Sequence, residues 1–139
     1  MRTACAVGFA VAVVALSSSA WATDICVSDT STMGHIVFRK VKALKPGKAV
    51  TLNGIGVNMP ATESFPISGT AIMTTGGTVK IGVLYHSMAP GVTFGGGQIA
   101  SLTTDATLAG TGNGDTDGDY LPDFAITWAS VDCATVTLP

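Results

Sequence analysis

From Ile36 to the C-terminus, clusters of Gly, Pro and Asn interrupt the chain about every ten residues, and the runs between them are rich in Val, Ile, Thr and Phe. β-Branched and aromatic residues suit a pleated, half-buried surface, and spacing this short leaves no room for long helices. No stretch after the first two dozen residues sustains an apolar helical stripe over three turns, so the fold is expected to be all-β. Strands are expected over 36–44, 49–57, 67–75 and 78–88, along a glycine-interrupted run at 92–102, near Ala106, and over 125–130 and 133–138. The pair Gly76 and Gly77, between Thr75 and Thr78, predicts a two-residue hairpin turn. On the strand that follows, Val79, Ile81, Val83 and Tyr85 share one face, the expected buried one, opposite Lys80, Gly82, Leu84 and His86. About eight short strands close into a single antiparallel barrel or stack as a two-sheet β-sandwich. Glycines at 54, 56, 82 and 95 to 97 mark bends and bulges and favour the barrel.

The N-terminus predicts export. Met1 and Arg2 precede an unbroken apolar run, 4–16, and Ser17 leads to the small-x-small pattern Ala20, Trp21, Ala22. This is the layout of a cleaved secretory signal over 1–22, leaving one domain over 23–139 that is extracytoplasmic, either secreted or periplasmic. No later segment approaches the roughly 18 apolar residues of a transmembrane helix. The seven aromatics that remain are too few and scattered for the girdles of an outer-membrane barrel. Cleavage also removes Cys5. Cys26 and Cys133 then remain near the two chain ends, and in an oxidising compartment they are expected to pair.

The densest chemistry lies between Asn113 and Asp123, reading NGDTDGDYLPD. Asp115, Asp117, Asp119 and Asp123 occupy positions 1, 3, 5 and 9 of one loop, and the Leu121 carbonyl falls at position 7, an oxygen set suited to calcium. Four crowded carboxylates repel, each pair by about 1 kcal/mol in water at 4 Å and about 4 kcal/mol near a protein surface, and a divalent cation relieves this. Tyr120 replaces the glycine an EF-hand needs at position 6, and Ile126 its bidentate Glu, so the loop is not of that type. The nine residues DTDGDYLPD resemble the Asp-rich calcium repeat of the thrombospondin type 3 kind, D-x-D-G-D-G-x-x-D, with Tyr120 in place of the second glycine. The resemblance implies a structural calcium ion. It covers a single copy, whereas in that family the loops come in tandem and share ions. A solvated acidic turn is the alternative.

Beyond Arg2 there are six basic residues against nine acidic ones, a net charge near −3. Nucleic-acid binding, which calls for a basic surface with stacking aromatics, is excluded. Five of the six cations, Arg39, Lys40, Lys42, Lys45 and Lys48, fall within ten residues around the turn signal Pro46-Gly47. They form either a solvated hairpin face or a patch for an anionic partner or lipid surface.

No catalytic constellation is evident. His86 and Ser87 are adjacent and on a strand point to opposite faces, His35 and His86 lack close metal-ligand spacing, and Glu63 has no local acid partner. The glycine-rich 94–97 run lacks the Lys and the strand-to-helix context of a phosphate loop. Two non-enzymatic functions are expected. In one, the domain is a structural or protein-interaction module, open to self-association. In the other, it is a lipocalin-like barrel holding a small apolar ligand. The interior discriminates: Ile81, Val83, Tyr85, Phe124 and Trp128 either fill it or line a void. Arg39 belongs to the second alternative if Val37 and Val41 point inward; if Ile36 and Phe38 do, Arg39 faces solvent and Lys40 and Lys42 turn inward, snorkelling at the rim.

Overall fold

A computed structural model describes residues 22–31, 34–58, 61, 63–86 and 98–139. The segment expected to be a cleaved signal lies outside the described residues as far as residue 21, and with it Cys5, as do Ser87 and glycines 95 to 97. Eight antiparallel strands follow one another around a closed barrel in chain order. They are β1 (Thr23–Asp29), β2 (Gly34–Val41), β3 (Ala49–Val57), β4 (Ser64–Met73), β5 (Val79–Tyr85), β6 (Gln98–Thr104), β7 (Gly110–Asp115) and β8 (Phe124–Val131), with β8 pairing back onto β1. Because the strands alternate in direction, the β1–β2, β3–β4, β5–β6 and β7–β8 connections share one end, here the upper. The other three connections and both chain ends of the domain share the lower.

Side chains of alternating residues fill the interior. Ile36, Phe38, Leu52, Ile67, Val79, Ile81, Val83, Tyr85, Leu102, Ile126 and Trp128 belong to one buried cluster, against which Phe65 and Phe124 pack. In a barrel this narrow, three of the inward rings lie opposite a residue with no side chain. Phe38 faces Gly54, Phe65 faces Gly56, and Phe124 faces Gly114, each as a direct cross-strand pair. A Cβ placed on Gly56 or Gly114 would run into the ring of its partner. On β7 the pattern is strict: Gly110, Gly112 and Gly114 pair with Trp128, Ile126 and Phe124 of β8.

Cys26 lies on β1 between the inward Ile25 and Val27, so its side chain points outward, where it bonds Cys133 with Cα atoms 5.2 Å apart. Cys133 opens a one-turn 3-10 helix, Cys133–Thr135, capped by the Asp132 carboxylate accepting from Ala134 N. That turn replaces the strand expected over 133–138. Two other expectations shift. The run near Ala106 is a turn whose Asp105 Oδ1 accepts from Thr107 N and Ala109 N, and it drops the fully buried Leu108 into the lower mouth. The Gly76-Gly77 turn is one residue longer than expected, since Thr74 N donates to Thr78 O across the three residues 75 to 77, with Gly77 at φ +85°.

Arg39 is outside the barrel, which removes it from the interior set. Ile36 and Phe38 join the core cluster from β2, and Arg39 pairs with Asp24 across the β1–β2 surface at 2.7 Å. The expected inward turn of Lys40 does not follow, because the register slips there. Lys40 takes φ +51° and gives its N–H to Asp24 Oδ1, so it remains exposed and Val41 is buried.

The glycine pairing gives a direct test. Gly112→Ala places a methyl against the Ser101 carbonyl and Leu102 Cα, backbone that cannot yield, whereas nothing lies within 4 Å of a methyl at the outward Gly82. Urea denaturation should show Gly112→Ala losing about 1–3 kcal/mol, and Gly82→Ala should stay within about 0.5 kcal/mol of the parent. Equal effects would contradict the packing described.

Candidate functional site

Two polar groupings lie toward the upper end of the barrel. The first is the Asp loop. β7 ends at Asp115 and β8 begins at Phe124, and Asp123 N donates to Gly114 O at 2.9 Å, pinning the neck of the loop. Asp115 organises what lies between. Its Oδ1 accepts from Asp117 N (3.1 Å) and Gly118 N (2.6 Å), and its Oδ2 from Tyr120 N (2.9 Å). Asp123 Oδ2 accepts from the amide and hydroxyl of Thr116. These bonds, the hydroxyl's first, hold the Asp123 carboxyl below the ordinary carboxylate range.

Carboxylate oxygens of Asp115, Asp117 and Asp123 lie within 4.8 Å of one another. Oxygens on opposite sides of a calcium ion, each about 2.4 Å from it, are separated by about that distance, so the spacing of the three is compatible with one shared ion. Asp119 stands outside the group and its Oδ1 accepts from Leu121 N at 2.8 Å. Leu121 is exposed. Tyr120, where the resembled repeat carries glycine, adopts φ +66°, the left-handed region glycine favours, with its ring in solvent. The substitution therefore leaves the turn intact.

The second grouping is inside. Asp29, at the upper end of β1, is 2% exposed, yet it accepts from Ser31 N (2.8 Å), Ser31 Oγ (2.7 Å) and the Tyr85 hydroxyl (3.0 Å). Burial first, and the Asp29 carboxylate second, push the Tyr85 phenol far above its ordinary value. The indole of Trp128, cross-strand from Asp29, lies near enough to the phenol to oppose part of that rise, but its buried Nε1 makes no hydrogen bond of ordinary geometry among the described residues. No sequence pattern flags this cluster, since Asp29 and Tyr85 are 56 residues apart. Only barrel closure brings them together.

A third contact was legible in principle. Ser68 Oγ and His86 Nε2 meet at 2.9 Å on the outer face of β4 and β5. The register of that hairpin, with Ser68 opposite Leu84, makes them diagonal neighbours, and a turn one residue longer than expected is what sets that register. Among the described residues no carboxylate bonds the other ring nitrogen of His86, so the pair lacks the orienting group of a nucleophile and base.

Of the interior residues named from sequence, Val83, Tyr85 and Trp128 are buried and Phe124 is half-buried against them. No helix among the described residues is long and apolar enough to cross a membrane. Comparison with known proteins found no matching family model, curated protein or solved structure.

Tyr85 generates a pH prediction. Its folded-state value lies above that of the unfolded chain, so the folded protein keeps a proton that the unfolded chain releases above about pH 10, and stability falls as pH rises past that point. Denaturation midpoints should fall at up to about 1.4 kcal/mol per pH unit there. Tyr85→Phe should flatten this decline and cost about 1–3 kcal/mol at pH 7, because Asp29 loses a buried donor. An unchanged alkaline slope in the variant would place its origin elsewhere.

Proposed function

We propose that this chain is an extracytoplasmic, non-enzymatic structural or protein-interaction module, a disulfide-tied barrel that works through its outer face and loop ends and carries a calcium-held Asp loop. The observation supporting this most is the filled interior: Ile81, Val83, Tyr85 and Trp128 join a single buried cluster and Phe124 packs onto it. A carrier of a small apolar molecule needs that space for its ligand. The Cys26–Cys133 bond fits an oxidising compartment.

Calcium would be held by Asp115, Asp117 and Asp123, and it would supply charge neutralisation to a loop whose backbone is already folded around Asp115. It would brace the β7–β8 connection and take no part in chemistry.

Thermal melts test the metal. Calcium should raise the melting temperature over that in chelator, by an amount that grows with ion concentration. Asp117→Ala should abolish the gain, while Asp119→Ala, outside the triad, should retain most of it. Identical curves with calcium and chelator would remove the metal from this account. Native mass spectrometry of protein purified from its own compartment tests the module itself, and a retained small apolar molecule in the barrel would overturn it in favour of a carrier.

A further inference from the structure

Charge is sorted along the barrel axis. All six Lys and Arg among the described residues lie toward the lower end: Arg39 and Lys40 at the foot of β2, Lys42, Lys45 and Lys48 on the β2–β3 connection, and Lys80 at the foot of β5. Asp24, Asp105 and Asp132 share that end, leaving a surplus of three positive charges among its side chains. The upper half holds the other six acids and no Lys or Arg: the buried Asp29, Glu63, and the four aspartates of the loop. The connecting residues outside the described set carry no Lys, Arg, Asp or Glu, so they leave this separation unchanged.

The five lysines, with Glu63, Asp117, Asp119 and Asp123, are exposed. Strands of six to ten residues, rising about 3.3 Å per residue and tilted by about 40° to the barrel axis, set the two ends about 15 Å or more apart. That exceeds the screening length of about 8 Å at physiological salt, so within one molecule neither end neutralises the other. Each is free to meet its complement on another molecule. The acidic end also exposes Tyr120 (88%) and Leu121 (65%), the most exposed large apolar side chains among the described residues.

We propose that the basic lower end of one copy docks on the acidic upper end of the next, forming an open head-to-tail assembly. The contact is heterologous, joining two different patches related by no two-fold, so it propagates and does not stop at a dimer. The mouth of one small barrel offers less area than a standard interface, and the association is accordingly weak, reversible and dependent on salt. This names a partner for the module proposed above and rests on that reading; it does not require the calcium ion, which would compete by neutralising the acidic face.

Sedimentation velocity on the purified protein in chelator tests it. At about 20 mM salt the mean sedimentation coefficient should climb with protein concentration, and at about 500 mM, where screening is several times shorter, the climb should vanish. Lys45→Glu with Lys48→Glu makes both ends acidic, and Glu63→Lys with Asp117→Lys and Asp119→Lys brings the upper end from a net of six negative charges to none. Each variant, its fold checked by circular dichroism, should remain monomeric alone, and an equimolar mixture should associate again. A single concentration-independent species at low salt overturns the proposal, as does association that survives high salt or a mixture that stays monomeric. Monomeric protein that sediments with vesicles of anionic phospholipid overturns it as well, assigning the basic end to a lipid surface. None of these failures touches the calcium-dependent melting shift or the empty-handed mass spectrum expected of a module, so the two proposals fall separately.

Discussion

The fold depends on an uneven division of interior space. An eight-stranded barrel is just wide enough for its own side chains to fill, so many of the rings and long aliphatics pointing inward sit beside a neighbour that contributes almost nothing. Glycine is that neighbour. Gly54 takes Phe38, Gly56 takes Phe65, and the three inward glycines of β7 take Trp128, Ile126 and Phe124. Each glycine costs about 0.5–1 kcal/mol of backbone entropy in a strand. Ring burial offsets this, since a fully buried Phe returns about 1.5–3 kcal/mol. The tie from Cys26 to Cys133 acts on the same balance from the unfolded side. It closes a loop spanning 107 residues, and in the chain-entropy account a loop of about 100 residues is worth up to about 4.7 kcal/mol.

A filled interior also explains why one carboxylate sits inside it. Asp29 is only 2% exposed, so its place depends on the Ser31 amide, the Ser31 hydroxyl and the Tyr85 phenol, which come from its own strand end and from β5 across the barrel. An unpaired buried charge would cost several kcal/mol, and three donors hold the upper ends of β1 and β5 in one relative position. The Asp loop begins at the top of β7, where Phe124 pairs with Gly114 and Asp123 N donates to Gly114 O, so the loop springs from a paired base.

Much of this was legible in the residues, for reasons of parity. Period-two alternation identifies the buried face of β5 and fixes β3 as Ala49–Val57, and the two cysteines at the chain ends predict their own bond. What escaped did so because parity fails locally. β2 alternates only as far as Phe38, and the slip at Lys40 re-aims every later residue, so the register that buries Ile36 and Phe38 is right for the outward Arg39 but not for Lys40 and Lys42, which stay exposed. β7, reading GTGNGD, has no apolar inward residue, since its contribution to the core is the absence of side chains. β1 is short and half polar, and it is a strand because β2 and β8 flank it. The loop spacing 1, 3, 5, 9 located the acidic group, but which carboxylates converge was settled by the hydrogen bonds of Asp115, which wrap the turn so that Asp119 faces the Leu121 amide.

Parity also governs the charge separation. In an up-and-down barrel successive connections alternate between the ends, so two loops lie at opposite ends whenever an odd number of strands separates them. The lysine-bearing connection follows β2 and the aspartate-bearing one follows β7, with five strands between. Missing a strand before both loops leaves that count unchanged, so a strand list that omits β1 still sends them to opposite ends. Moving the same lysines to the next connection would superimpose the two charges and cancel them. The polarity of this molecule is therefore written in the order of its loops, and the closed meander converts an alternation along the chain into a field along an axis.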